Sequence, residues 1–321
     1  MSTLHAGWYL VSFADTLTDD LTPITVGDRR LMVVRRDDPE QPYVVADAIC
    51  PHRGANLAIG GELKGDCVAC PFHGRLISLA DHPRRLSVTT YPTVMAGPLV
   101  FARLGEGPEG DNGFPEAISR VSSGRRIVTA VDAVVDVPVD YVVENAFDTE
   151  HFPTVHGVPS LDGMRTERRE DGTLVIGGDF LTVADPWYDL RYARVLNAYM
   201  QGSGTRAAHR SAFRATAFSP TVVLTSFGTG GNDPIILTGA LPGPDGTHVR
   251  VAVIGDPHHP LDRIAEASRL AITQDRGVWE NIDPGAVWTL DDMDINVVAF
   301  RDWIADFPLA PRRRVADRVP S

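Results

Sequence analysis

The stretch that decides the fold is Cys50-Pro51-His52-Arg53-Gly54-Ala55-Asn56-Leu57, followed at a distance by Cys70-Pro71-Phe72-His73-Gly74. Seventeen residues separate His52 from Cys70. Each segment offers one thiolate and one imidazole, so two short loops can surround a single metal centre. Pro51 and Pro71 directly follow the cysteines, which suits rigid loops with a fixed backbone angle. Tetrahedral zinc accepts two Cys and two His. A [2Fe–2S] cluster accepts Cys on one iron and His on the other. Zinc sites usually space paired cysteines by two to four residues and paired histidines by three to five. The combination C-x-H with C-x-x-H fits neither habit and has the spacing of the mixed-ligand cluster. Cys67 completes a C-x-x-C pair with Cys70, a pattern also known from redox and zinc sites. Its simpler reading is a small hydrophobe on the strand that enters the second loop.

A second group lies in Glu144-Asn145-Ala146-Phe147-Asp148-Thr149-Glu150-His151-Phe152-Pro153-Thr154-Val155-His156-Gly157. Asn145, Asp148 and His151 are each three apart, a spacing that places them on one helix face. His156 is five beyond His151, and Pro153 between them lacks the N–H of a helix interior. The expectation is a helix over 140–150 that is broken near Pro153, bringing both imidazoles to one point. Two His and a carboxylate from another element would form the facial triad of non-haem Fe(II), which leaves positions open for O2. The plainer reading is a surface helix with scattered polar residues.

The carboxylate is sought on the predicted helix 261–282. Its apolar stripe runs Leu261, Ile264, Ser268, Ala271/Ile272, Val278/Trp279 and Ile282, and position 275 on that stripe is Asp. A buried carboxylate is costly unless paired or metal-bound. Asp275 is the expected third ligand, with a buried pair to Arg269 or Arg276 as its structural alternative. Asp283, Asp291, Asp292 and Asp294 follow the helix and are weaker candidates.

Together these motifs make the chain resemble the Rieske non-haem iron oxygenases, catalytic (alpha) subunit. The resemblance begins at Trp8-Tyr9-Leu10, runs through CPHRGANL, CPFHG and ENAFDTEHFPTVHG, and ends with QDRGVWENI and VVAFRDWI. The spacing N-x-x-D-x-x-H-x-x-x-x-H is closest to the monooxygenase and demethylase branch. The resemblance implies an α+β chain: an N-terminal all-β Rieske [2Fe–2S] domain at 1–107 and a C-terminal helix-grip (START/Bet v 1-like) catalytic domain at 108–321. It implies cluster ligands Cys50, His52, Cys70 and His73, and mononuclear iron ligands His151, His156 and Asp275. Asp148 would bridge His73 of one subunit to His151 of the next, with Asn145 in support. Electrons would come from NAD(P)H through a reductase or ferredoxin, with O2 as co-substrate, in a homotrimer without a second subunit type. Two positions depart from the family pattern. Arg75 stands where an aromatic usually follows His-Gly, and Ser78–Arg85 lacks the usual turn glycine.

Composition narrows the classes. The 321 residues are 43% apolar and 22% charged, ordinary for a globular chain, and two domains is the natural expectation. No apolar run approaches the ~20 residues of a spanning helix. The N-terminus has no signal-like pattern, which gives an intracellular, cytoplasmic expectation. The net charge of −12 argues against nucleic acid and anionic membrane as partners. Residues 1–107 carry 10 basic against 12 acidic side chains, so the remainder is far more acidic. An acidic donor protein could dock on the first part near Arg29, Arg30, Arg84 and Arg85. Gly and Pro, 29 and 24 in number, suggest many short strands. A hairpin is expected at 24–36, strands at 42–49 and 126–137, and a linker at 104–113. Between 172 and 256, β-branched and polar residues alternate around turns such as Gly202-Ser203-Gly204 and Pro242-Gly243.

The expected substrate is a small, largely apolar organic molecule, hydroxylated or oxidatively demethylated. Met164, Phe180, Trp187, Met200, Phe213 and Trp279 are candidate pocket walls. Two other classes remain: a Rieske electron-transfer protein with a non-catalytic ligand-binding domain, and a zinc-stabilised lipid-binding protein.

Overall fold

The computed structural model describes residues 4–311 apart from 81, 83, 106, 158–159, 183–208, 229–231 and 284. The first part is all β. Its strands are β1 (Gly7–Phe13), β2 (Leu21–Val26), β3 (Arg29–Arg35), β4 (Tyr43–Asp47), β5 (Glu62–Lys64), β6 (Cys67–Ala69), β7 (Leu76–Ser78), β8 (Thr90–Tyr91), β9 (Thr93–Ala96) and β10 (Leu99–Leu104). They form three sheets in the orders β2-β3-β4-β8, β5-β6-β7 and β1-β10-β9. The expected 24–36 hairpin is β2–β3, turning at Gly27 with φ 61°. The expected strand 42–49 is β4. Met32, Val34, Val44, Ala46, Leu57, Val68 and Ile77 form the core beneath the Cys50 and Cys70 loops.

The second part is built on one antiparallel sheet of seven strands. These are β11 (Arg126–Val135), β12 (Ser160–Arg168), β13 (Leu174–Thr182), β14 (His209–Ser219), β15 (Val222–Gly228), β16 (Ile235–Gly243) and β17 (Gly246–Gly255). Their order is β11-β17-β16-β15-β14-β13-β12. The β16–β17 register closes at Gly243 and Gly246, so the turn falls on Pro244-Asp245, not on Pro242-Gly243. The expected turn at 202–204 lies outside the described residues. Helices α1 (Phe114–Ser122), α2 (Val139–Glu144), α3 (His151–Val155), α4 (Leu261–Trp279) and α5 (Ile295–Asp306) are the α-helices among the described residues.

Helix α4 crosses one face of the sheet, packing on β11 and β17. Leu261, Ile264 and Ala265 meet Val131, Val251 and Val253 there. Its first turn is held by Asp262, which pairs with Arg126 at 3.0 Å on the neighbouring strand. Its last turn carries the Arg276–Glu280 pair, at the i, i+4 spacing that supports a helix. The helix stops at Trp279, and Val278 and Ile282 of the predicted stripe are exposed.

The opposite face of the sheet receives β1, so the two parts share a core. Trp8, Leu10 and Phe101 pack with Phe114, Leu224, Leu237 and Ile254. The approach is closest at Gly239, where an added Cβ would lie 2.7 Å from Leu10 Cβ. The expected linker 104–113 is fastened to this junction: Asp111 accepts from Trp8 Nε1 at 2.9 Å and pairs with Arg103 at 3.4 Å. Helix α1, which follows it, was not expected from the sequence. It starts after Gly113 (φ 67°) with Pro115 in its first turn, a position where proline loses no hydrogen bond.

Candidate metal centres and substrate cavity

The two cysteine loops are the same structure built twice. Cys50 N donates to Ala55 O at 2.8 Å, and Cys70 N donates to Arg75 O at 2.9 Å. Gly54 N donates to Cys50 O and Gly74 N to Cys70 O, each at 2.9 Å. Both glycines have left-handed φ, 79° and 64°, which a side chain would strain. Each loop therefore folds back four residues after its cysteine and turns its own amide and carbonyl inward. The first presents His at the second position after Cys and the second at the third, which explains C-x-H beside C-x-x-H.

At the loop tips the His52 and His73 rings stand 4.8 Å apart between centroids. Cys50 and Cys70 are buried and unoxidised. Burial raises the Cys50 thiol. Cys70 is lowered: backbone N–H groups of its own loop and the Cys50 thiol outweigh its burial. His52 Nδ1 is buried without a hydrogen-bond partner. Two facing thiols and a buried bare ring nitrogen are the donor set a Cys2His2 [2Fe–2S] cluster needs, so these residues fit it. Cys67 lies on β6 and is buried, as its plainer reading had it. Its sulfur also accepts from Arg85 Nη1 at 3.3 Å.

The second centre differs from the predicted helix in one informative way. The helix ends at Glu144, before Asp148, and a new helix starts at His151. Asn145 is the C-cap of α2 and Asp148 sits in the irregular turn, so Asn145, Asp148 and His151 do not share one helix face. Pro153 falls in the first turn of α3, where its missing N–H has no partner to lose. The chain is therefore broken around 145–150 and not at Pro153. His151 and His156 flank α3, with ring centroids 5.0 Å apart.

Asp275 of α4 arrives opposite them, 4% exposed. Ligating atoms of His151, His156 and Asp275 all lie within 4.8 Å of one another. Neither Arg269 nor Arg276 pairs with Asp275; Arg276 is taken by Glu280. Instead Asp275 faces His156 Nε2 at 3.1 Å and accepts from Asn145 Nδ2 at 3.1 Å. Both imidazoles are held at Nδ1. His151 Nδ1 is 2.6 Å from the Asp148 carbonyl, which can only accept, so Nδ1 carries the hydrogen and Nε2 is bare. His156 Nδ1 meets Gln274 Oε1 at 3.1 Å, which favours the same tautomer, while its Nε2 faces the Asp275 carboxylate. His151 Nε2 is buried with no partner. Burial lowers His151 from the ordinary imidazole value. Burial also opposes charge on His156, but the Asp275 carboxylate outweighs it and raises that ring. Two Nε2 donors and a carboxylate, one nitrogen orphaned, fit a divalent iron with open positions.

Sequence reasoning missed Gln274. Its signal was available in principle, because it neighbours the one acid on the buried face of α4. Asp148 touches His151 chiefly through its backbone; the carboxylate is 3.8 Å from Nδ1 and caps Glu150 N at 3.0 Å. Helix α2 is pinned from outside by Arg301, which pairs with Asp140 at 2.7 Å, with Glu144, and lies over Trp288 at 4.8 Å.

Beside the centre opens a cavity of about 120 Å³. Asp275, His156 and Asn145 form one edge, and Phe152, Phe180, Phe213 and Phe227 one wall. Of the expected wall residues, Phe180, Phe213 and Trp279 line it. Met164 packs against the core beside it, and Trp187 and Met200 lie outside the described residues. Phe152 and Phe227 were not expected. A second hollow of about 330 Å³ opens on the other side of His151, between Asp148, Trp288, Leu290 and Asp294.

Residues 7–91 match the Rieske [2Fe-2S] domain family. Cholesterol 7-desaturase of Hemicentrotus pulcherrimus is 32% identical over 167 residues, 47% of this chain and 35% of that protein. Aminopyrrolnitrin oxygenase PrnD of Pseudomonas fluorescens is 28% identical over 174 residues, 49% of this chain and 47% of its own. The matched stretches thus span between a third and a half of these relatives. Among solved structures, dicamba monooxygenase bound to dicamba superposes with a TM-score of 0.69 at 18% identity, covering 95% of this chain and 97% of the other. Pseudomonas putida CBB5 NdmA with caffeine, a QL mutant, gives 0.67 at 15%, covering 94% and 89%. The chain thus carries an N-terminal Rieske [2Fe-2S] β domain, and its overall fold is the one seen in those solved oxygenases.

Proposed function

We propose that this chain is the catalytic subunit of an O2-dependent Rieske oxygenase that hydroxylates or oxidatively demethylates a small, mostly apolar organic molecule. The observation that carries the proposal is the convergence of His151, His156 and Asp275 within 4.8 Å at the edge of a phenylalanine-walled cavity. A protein that only carried electrons would have no use for such a set. Cys50, Cys70, His52 and His73 would hold the cluster, and His151, His156 and Asp275 the iron. The iron would supply O2 activation, and the cluster the electrons for it.

The chain's own residues do the rest. The Asp148 carbonyl and Gln274 keep both Nε2 atoms turned to the metal. Asn145 holds one oxygen of Asp275, leaving the other to bind. The phenylalanine wall receives the substrate and keeps bulk water from the reacting carbon.

NAD(P)H would act only through a reductase or ferredoxin. Arg30 and Arg84 remain exposed for such a donor, whereas Arg29 donates to the Pro311 carbonyl. The cluster tip is ringed by exposed Ile59, Phe72 and Leu76 with Arg53 over Phe72, and the hollow at Asp148 is apolar with acidic edges. Those surfaces are complementary, which supports head-to-tail contact between copies closing as a homotrimer, with Asp148 between clusters and iron. No helix among the described residues is long and apolar enough to cross a membrane.

Iron content tests the reading. The purified chain should hold about three irons, and Asp275→Ala about two with the cluster's visible spectrum intact. Two irons in the unaltered protein, or product formation by Asp275→Ala, would overturn it.

A further inference from the structure

The floor of the cavity is the inner face of β15, β16 and β17. Val223, Ile236 and Val251 supply the hydrocarbon expected there. Thr225 and Thr238 do not. Thr225 stands opposite Ile236, and Thr238 opposite Val223, so the two threonines are diagonal neighbours on adjacent strands of one face. Diagonal side chains on paired strands lie within ~7–8 Å, near enough to serve one small polar group. Ser268, the third hydroxyl lining the cavity, is satisfied by the Ile264 carbonyl at 2.9 Å. The hydroxyls of Thr225 and Thr238 have no hydrogen-bond partner among the described residues. Thr225 is nevertheless buried, at 9% exposure. Neither hydroxyl is among the fully buried unpartnered atoms, so both open on the cavity and make a polar patch on an otherwise hydrocarbon floor. Among the described residues the floor is also free of charge: the ionisable groups that line the cavity, His156 and Asp275, sit at the metal edge. Along α4 the cavity extends from Asp275 back to Ser268, seven residues or ~10 Å.

We propose that Thr225 and Thr238 form a specificity site for one neutral oxygen, an alcohol, phenol or ketone, carried by an otherwise hydrocarbon substrate. This rests on the cavity being the substrate site of the proposed oxygenase. The two hydroxyls bind that oxygen and the phenylalanine wall grips the body, which fixes the carbon presented to the metal edge. Among the described residues nothing on the floor neutralises a charge, so the site favours a neutral oxygen over an ionised one.

The test is calorimetric titration of the iron-loaded full chain with p-cresol and with p-xylene, which differ in a hydroxyl for a methyl. The unaltered protein should bind p-cresol more tightly, although p-xylene is the more readily expelled from water. In the Thr225→Val/Thr238→Val pair the ratio of the two dissociation constants should shift at least tenfold towards p-xylene, with p-xylene affinity itself unchanged. Tighter binding of p-xylene by the unaltered protein, binding of neither compound, or a ratio unchanged in the valine pair would overturn the proposal. The iron count is read separately. Two irons with the ratio shift intact would remove the oxygenase reading and support the hydroxyl site, and three irons with no shift would do the reverse.

Discussion

Gln274→Leu isolates one contact of the proposed metal centre. His156 Nδ1 has Gln274 Oε1 as its partner at 3.1 Å, and leucine fills similar space with no acceptor. The buried N–H is then unsatisfied, at about 1–3 kcal/mol, and the ring is free to adopt the tautomer that points a hydrogen at the metal. His151 keeps its lock, because its partner is the Asp148 backbone carbonyl, which no side-chain change removes. Asp275 also keeps its Asn145 bond. One of three ligands is thus loosened, and outer contacts of this type change metal affinity by about 10–100-fold. That corresponds to about 1.4–2.7 kcal/mol. Anaerobic titration of ferrous ion against a competing chelator should show weakening of that size, with the cluster absorbance unchanged. Gln274→Glu retains an acceptor and should bind ferrous ion at least as tightly as the unaltered chain. If Gln274→Leu bound within threefold of the unaltered protein, the tautomer argument would be wrong, and His156 would owe its orientation to packing alone.

Two further outcomes follow from packing and charge. Gly239→Ala would place a methyl 2.7 Å from Leu10 Cβ across the junction of β1 and β16, and should cost about 1–3 kcal/mol in denaturant unfolding. An unaltered midpoint would mean that β1 is not pressed on the sheet. Burial works against the charge of Asp132, but the hydrogen bond with His248 and the Arg250 guanidinium outweigh it and hold the carboxyl below its ordinary 3.8. A depressed acid stabilises the fold above its unfolded value and loses that contribution as pH falls through the native one. The melting-temperature gap between the unaltered protein and Asp132→Asn should therefore be widest above pH 3.8 and close below it. A gap constant with pH would remove this account.

The cluster half of the chain was legible because its chemistry is local. Cys, His and Gly lie within six residues in each loop, and the left-handed glycines fix the backbone without distant help. Hairpin β2–β3 and strand β4 were legible for the same reason. Helices α1 and α5 were not. The first is nine residues long behind a glycine- and acid-rich stretch that reads as a linker until Asp111 is seen bonded to Trp8. Helix α5 buries Phe300 and Trp303 against core supplied from elsewhere in the chain, which a local pattern cannot register. Hydrophobic periodicity also overstated α4, because Val278 and Ile282 continue the stripe but border the hollow at Asp148 instead of the core.

The break between Asn145 and His151 is where local preference and the site part company. Residues 139–156 contain no glycine and hold their one interior proline at 153, so the sequence favours a helix that continues past Asn145. A continuous helix would put His151 and His156 about 140° apart around its axis, and no single ion could reach both. The chain instead ends α2 at Glu144, where Arg301 holds it, and restarts at His151. The freed turn supplies the Asp148 carbonyl that orients His151, and the end of α2 supplies the Asn145 amide that orients Asp275. Two short helices have little stability of their own. Their positions must come from contacts at each end: Arg301 outside, and Phe147, stacked on Phe300 at 5.0 Å, within. The geometry of the proposed metal centre is thereby tied to α5, a helix that contributes none of its three candidate ligands.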